Sequence, residues 1–531
     1  MKGTHRRLNR LAGLFHTEYG ALFVFVCIAA LRSWRLTRLD IFYDEAITVY
    51  EAFTWKGFFW GHYWFYPPLH GLLTAIWIKC STHLLWIRLF SVLAGLGTVI
   101  IVYYTAKQLF TRSTAFISLI LFGLSPLHVY YSREIRNYAL FTLLYSACWY
   151  IFITIIDKDT TPKLIGFSLM LIALLYTHYY SGFVIAGLAG TMLMINRSWK
   201  WKTRIAVYMI LAGTCYLFWV SRMLWFTDRL MNHGTYIAAP VTLKTVYHVL
   251  RIIAGGYESP TWLADGLLIV LGGLIGLSVI NGKRMPALCF IGMFALPLLI
   301  CLATGVIMDY NYLWPRYVAF LTVPMCLFAA HGMIFLNRIP RILITVLISG
   351  SFLLSLSFQY RNIFHQLHWG QGVRPKKEWY RSAEYIRHHY QEGDVIGHAC
   401  LSSTFPYWYY LTVHYGMNHG VLLDIDHLHA NYLAKTYGMP EFSYEYLAVP
   451  IEIKYLPSQY QRLWFVASEW DIDSPDSFDT QFMHLLTRNL NARFPIIDTL
   501  DYYGAPLTLY SLTESVSVSE SSNRITLDAK R

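Results

Sequence analysis

The sequence predicts a polytopic α-helical membrane protein of about 11 spans with a C-terminal extracytoplasmic α/β domain. Three observations carry this reading. The 531-residue chain is 56% hydrophobic and 17% aromatic but only 14% charged, against roughly a quarter charged in a soluble domain. Its apolar residues gather in repeated runs of roughly 17–25 residues, the length that crosses a bilayer. From about position 359 those runs stop and charged residues become frequent. A transmembrane barrel would need short alternating segments, which the sequence lacks.

Taken in order, the first apolar run spans 17–36. It follows a basic N-terminal segment, Met1–Arg10, and has no small-residue cleavage site after it, so the span is read as retained. Further spans fall at 86–110, 114–131, 138–156, 163–180, 182–196, 203–224, 262–281, 286–308, 317–336 and 341–358. With the N-terminus inside, the inner loops hold Lys107 and Arg112, then Lys158 and Lys163, then Arg197, Lys200, Lys202 and Arg204, then Lys283 and Arg284, and last Arg338 and Arg341. Every predicted inner loop is therefore basic, as cytoplasmic loops are. The C-terminal region falls outside. Arg32, Arg35 and Arg38 lie at the outer end of span one, against that rule, and are candidates for a function.

Pro67–Leu85 is apolar but interrupted by His70, Lys79 and His83. Counted as a span, it would invert every later basic loop. It is assigned to the first outer loop, 37–86, as an interfacial amphipathic helix, and Asp44–Phe53 has the same character. A loop this long is more often functional than connecting. The membrane module thus runs from 1 to 358.

The extracytoplasmic α/β domain runs from 359 to 513. Trp379–Tyr390 has helical periodicity, with Tyr380, Ala383, Ile386 and Tyr390 on one face. Strands are expected from Val395, over Arg462–Ala467, Pro495–Leu500 and Leu507–Leu512, with a helix over Phe482–Leu490. Residues 514–531 are polar and Ser-rich and read as a disordered tail. There is no internal repeat. The net charge of +12 is accounted for by basic loops and phosphate-binding arginines, not by nucleic acid. The eight Cys are scattered without a C-x-x-C pair, so neither a disulfide frame nor a zinc site is expected.

The predicted outer face gathers Asp44 and Glu45 in loop one and Arg133, Glu134 and Arg136 after span three. It also holds His178 after span five and Arg316 before span ten. Two adjacent carboxylates at a bilayer rim are costly to desolvate. A carboxylate can take a proton from an acceptor, and guanidinium groups stabilise charge growing on a phosphate leaving group. Simpler readings compete: Asp44 as a helix N-cap, Glu45 paired with Arg38, Glu134 paired with Arg133 or Arg136, Arg316 as an interfacial anchor. His62, His70, His128 and His178 also read as hydrogen-bonded interfacial residues.

Arg32-Ser-Trp-Arg-Leu, Tyr43-Asp44-Glu45-Ala46, Pro67-Pro68-Leu69, Arg88-Leu-Phe-Ser-Val, Ser125-Pro126-Leu127-His128 through Tyr138, and Pro315-Arg316-Tyr317 resemble the GT-C glycosyltransferases. The resemblance is nearest to the protein-mannosyltransferase-like and aminoarabinose-transferase-like branch. It covers spans one to about ten in order and is most specific over 32–138. Trp379-Tyr-Arg-Ser-Ala-Glu-Tyr-Ile386 is similar to the start of the outer domain of many such proteins. The resemblance implies a polyprenyl-phosphate sugar donor, a lipid, glycan or protein acceptor, an outer-face site, inversion at the anomeric carbon, and no nucleotide sugar or nucleic acid. It implies that Asp44 is the base or a metal ligand and that Glu134 is the second acid, so Asp44 and Glu134 are the candidate ligands of a divalent cation (Mg or Mn). Glu45 is a further catalytic candidate. Arg88, Arg133, Arg136, Tyr138, His178 and Arg316 are the substrate-binding candidates. Arg-Glu-Ile-Arg stands at 133–136 where the family more often has Glu-Ala-Arg.

The rival from another class is a transporter or flippase of a lipid-linked sugar. Such folds show internal repeats and broken midplane helices, and neither is legible here. A third reading, a catalytically dead assembly protein, is opposed by the intact Asp44-Glu45 pair.

Overall fold

The computed structural model describes residues 18–53, 67–233, 241–308, 312–363, 365, 376–398, 401–417, 422–424, 460–467, 487–488, 490–502 and 506–513. Contacts divide the chain into two compact units. One comprises Met1–Leu39 and Glu51–Pro375; the other comprises Asp40–Tyr50 and Lys376–Arg531.

The first unit is helical throughout, and each of the eleven apolar segments read from the sequence is a helix or a pair of helices. Among the described residues six are long and apolar enough to cross a membrane: Leu84–Leu109, Asn137–Asp157, Trp199–Leu224, Thr261–Asn281, Arg284–Ile307 and Arg338–Tyr360. Arg112–Leu124 and Pro126–Ser132, bent by 60°, make a seventh if counted as one span. Thr161–Leu175, Ser181–Met194 and Ala319–Phe335 are apolar but shorter. The protein is an integral membrane protein. Hydropathy gives the larger count of eleven because it also counts apolar helices shorter than 18 residues. The expected span 163–180, for example, is helical only to Leu175 and then turns.

Local chemistry sets these boundaries. Thr111 caps Arg112–Leu124 by accepting from the Thr114 amide at 3.2 Å. That helix ends before Pro126, which has no amide to donate backward and restarts the chain as a new helix. The carbonyls freed at the break, Phe122 and Gly123, accept from Arg32 Nη2 at 3.2 and 2.9 Å. Arg32 Nη1 meanwhile donates to Ser132 Oγ at 2.7 Å and lies 3.0 Å from His128 Nδ1. The fully buried Arg32 thus holds a helix break together, a structural task rather than the functional one its rule-breaking position suggests. Within Arg284–Ile307 one π-turn, Ile291–Ala295, presents Gly292 to the helix Ser181–Met194. A Cβ there would collide with Thr191 Oγ1 and the Gly187 carbonyl.

Pro67–Leu85 contains one short helix, Leu69–Trp77, followed by a turn. A second loop helix, Leu243–Gly255, was not anticipated; Thr242 caps it. The helix Tyr43–Phe53 forms where loop one is expected to be helical.

The second unit holds a five-stranded sheet in the order β2-β1-β3-β5-β4. The strands are β1 (Asp394–His398), β2 (Leu422–Asp424), β3 (Arg462–Val466), β4 (Ile496–Leu500) and β5 (Leu507–Ser511). β1 runs parallel to β2 and β3, while β5 is antiparallel to β3 and β4. The helix Trp379–His389 precedes β1 and Leu401–Trp408 follows it. Asp394 fixes the β1–β3 register: its carboxylate accepts from Arg462 Nε at 2.7 Å and Trp464 Nε1 at 2.8 Å. The first part of the helix expected at Phe482–Leu490 and the tail from Glu514 lie outside the described residues.

Candidate active site

The acidic pair of loop one belongs to the second unit, and its two members differ. Glu45 is fully buried, and its Oε2 accepts from the Phe42 amide at 2.9 Å and from Lys376 Nζ at 2.9 Å. Its partner is therefore Lys376 rather than Arg38. Asp44 is only half-buried, in the first turn of Tyr43–Phe53. Further contacts pin the segment to its unit. Asp40 Oδ2 accepts from the Tyr380 amide at 2.7 Å, in the first turn of Trp379–His389, where an anion suits the helix dipole. The Ile41 amide donates to the Tyr410 hydroxyl at 3.0 Å, and Tyr50 packs on Phe405 and Trp408.

The Glu45–Lys376 pair makes a stability prediction. Glu45→Gln removes the carboxylate paired with a buried ammonium and should destabilise the unit by about 3–5 kcal/mol. Replacing Lys376 by Met in the same protein should recover most of the loss. Thermal unfolding of the two variants checks this; a single variant as stable as the parent would show that the pair contributes nothing.

In the first unit Arg133–Arg136 is the turn between the helices Pro126–Ser132 and Asn137–Asp157, buried throughout. Its charged residues take different tasks. Arg133 Nη1 donates to the carbonyls of Arg32 and Trp34 at 2.9 and 2.8 Å, and Nη2 to that of Arg35 at 3.1 Å. Arg88 Nη1 donates to the Leu36 and Leu39 carbonyls at 2.8 and 2.7 Å. Both arginines thereby close the backbone that follows the first helix, whose last carbonyls have no intrahelical donor.

Arg136 and Arg316 sit in one aromatic cluster. Arg136 lies 5.8 Å over the Tyr138 ring; Arg316 lies between Trp314 and Tyr317, at 5.0 and 4.9 Å. Tyr138 and Tyr317 are 6.1 Å apart, and His178 is 6.0 and 5.3 Å from them. Both arginines bear electrostatically on His178. His70, from the Pro-Pro-Leu-His run, faces the same cluster. Burial, with Arg136 adding to it, pushes its imidazole down to about 3, so it is neutral in the physiological range. Its Nε2 is buried without a hydrogen-bond partner among the described residues.

Glu134 is also buried, and with Glu258 it bears on the Tyr130 hydroxyl. The Tyr131 and Tyr257 hydroxyls are 2.8 Å apart. Glu258 was not anticipated from the sequence. The available signal was an acid in a Gly-Gly-Tyr-Glu-Ser-Pro turn just before an apolar span, the placement that marked Glu134. The structure thus brings Glu134, Arg136, Tyr138, His178 and Arg316 together in the first unit and places Asp44 and Glu45 in the second. Among the described residues no three His, Cys, Asp or Glu side chains are grouped to hold a metal ion. Asp44 and Glu134, the candidate cation ligands, belong to different units, and no step is assigned to a cation.

Residues 66–226 match the family model described as dolichyl-phosphate-mannose-protein mannosyltransferase. The fold is similar to the crystal structure of ArnT from Cupriavidus metallidurans bound to undecaprenyl phosphate. The identity is 12% and the TM-score 0.58, over 93% of this chain and 98% of that one. The apo structure of ArnT from the same organism matches at 12% identity and a TM-score of 0.57, over 92% and 98% of the two chains. No curated protein matches the chain in sequence.

Proposed function

We propose, from the chain's membership of the GT-C superfamily of membrane glycosyltransferases, that it moves a sugar from a polyprenyl-phosphate donor to a lipid, glycan or protein acceptor. The reaction takes place on the outer face of the membrane and inverts the anomeric carbon. The observation that supports this most is the pairing of Arg136 and Arg316 across one buried aromatic cluster. Guanidinium forks there suit phosphate oxygens.

In this reading Asp44 takes the proton of the acceptor nucleophile. The acceptor attacks the anomeric carbon, the bond to the phosphate oxygen breaks, and polyprenyl phosphate leaves with the electron pair. Arg136 and Arg316 hold the charge that grows on it, so no general acid is needed for the leaving group. A single displacement needs one base and no covalent sugar intermediate. Glu134 lies beside the donor, and Tyr138 and His178 line its phosphate end.

Eleven spans, with the N-terminus inside and the 359–513 domain outside, complete the proposal. Cys80 tests the orientation directly, because it is exposed in the turn after Leu69–Trp77. An impermeant thiol reagent should label intact cells or spheroplasts at Cys80, and Cys80→Ser should remove that label. With Cys400 of the proposed outer domain also replaced by Ser, a Cys placed at Arg112 in the Cys80→Ser protein should add no label. The opposite pattern would put Glu134 on the wrong side for this chemistry. The activity itself is tested in detergent, where no membrane separates two compartments. An enzyme still transfers sugar there, whereas a transporter shows no reaction.

A further inference from the structure

The turn Gly256–Pro260 joins the helix Leu243–Gly255 to Thr261–Asn281. Gly256 has φ +81°, and a Cβ on it would lie 2.8 Å from Pro126 Cβ and 3.0 Å from Glu258 Oε2. Glycine therefore permits the turn to lie against the start of Pro126–Ser132. The result is that Glu258 is driven inside, fully buried. Among the described residues neither of its carboxyl oxygens has a hydrogen-bond partner within bonding geometry, although the backbone amides of Tyr257 and Glu258 approach it. Its neighbour Ser259 is satisfied, donating to the Gly255 carbonyl at 2.6 Å. A buried carboxyl left unsatisfied is costly, and such groups in folded proteins ordinarily have a partner.

We propose that Glu258 is a donor-sugar ligand whose carboxyl hydrogen-bonds two neighbouring hydroxyls of the sugar on the lipid phosphate. This rests on the reading of the chain as dependent on a lipid-phosphate sugar. Position argues for the donor. Arg316 and Glu258 both bear on the Tyr257 hydroxyl, and the donor's sugar is bonded directly to its phosphate. A carboxyl one side chain away from a phosphate-binding arginine meets that ring. Charge argues for hydroxyls. Burial pushes the carboxyl up to about 8; the Glu258 amide opposes this and Glu134 adds to it. Near neutrality the group therefore offers a donor as well as an acceptor, which suits sugar hydroxyls.

The test compares two lipids on the full-length protein in detergent, dolichyl phosphate and dolichyl-phosphate mannose, by direct binding. The parent protein should bind the mannosyl lipid more tightly. Glu258→Ala should weaken the mannosyl lipid by roughly 10-fold or more, the scale of a hydrogen bond to an ionisable group, and leave dolichyl phosphate unchanged. Glu258→Gln, which keeps the shape and a donor–acceptor pair, should lose less. Unchanged dolichyl phosphate binding also certifies that the variants are folded. Equal binding of the mannosyl lipid by all three proteins, no gain from the sugar in the parent, or equal loss for both lipids would overturn the assignment. A parent protein that binds neither lipid would refute the donor class itself, a result distinct from failure of Glu258.

Discussion

Replacing Asp44 by Asn should lower sugar transfer by roughly 100-fold or more, the usual scale for a positioned base. Asparagine keeps the size of the side chain and removes its basicity. The fold should survive, because Asp44 is half-buried in the first turn of Tyr43–Phe53 and asparagine is well tolerated at helix starts. The burial that anchors this segment comes from Glu45, Lys376, Asp40 and Tyr50. A loss of turnover with normal membrane expression is thus separable from a loss of structure. Steady-state kinetics on equal amounts of folded protein reads the difference, and near-parent turnover would remove Asp44 from the mechanism.

The second large effect is expected at Arg316. Its guanidinium lies between Trp314 and Tyr317, so its plane is held while the chain on either side is fixed by a turn and the start of Ala319–Phe335. Lysine supplies a charge at that place but no fork and no stacked plane. If the group binds the phosphate more strongly as negative charge develops, Arg316→Lys should lower turnover more than it weakens donor binding. Arg316→Ala should weaken both. Kinetics alongside direct binding of a polyprenyl-phosphate sugar separates the two terms. Unchanged turnover in both variants would make Arg316 an interfacial anchor and leave Arg88, Arg133 and Arg136 as the remaining phosphate candidates.

Much of the fold was legible because membrane helices announce themselves by apolar length. All eleven apolar segments are helical, and the helices at Tyr43–Phe53 and Trp379–His389 lie within a residue or two of where charge and periodicity place them. Helix length was less legible. Whether an apolar run is broken depends on turns such as Tyr176–Tyr180 and on the bend at Ser125–Pro126, and hydropathy does not register either. Among the site residues, sequence showed which arginines are unusual but not what each one holds. Arg32 and Arg133 serve carbonyls at helix ends and Arg88 those of the turn after the first helix, tasks that no local sequence signal announces. The partner of Glu45 lies 331 positions away at Lys376, beyond the reach of any spacing rule. Glu258 needed the structure because its burial follows from the backbone at Gly256.

The most direct test of the proposed function is transfer in detergent. Membranes from cells lacking the chain are solubilised, so that they supply whatever donor and acceptor the cell makes, and the purified protein is added. Mass spectrometry follows the polyprenyl-phosphate sugar. With the parent protein the sugar-bearing lipid should fall, free polyprenyl phosphate should rise in equal amount, and one sugar should appear on an acceptor. With Asp44→Asn all three should stay at the starting level. A parent protein that leaves the lipid-linked sugar intact in micelles, while the same protein restores the cells it came from, would contradict a transferase and favour a transporter.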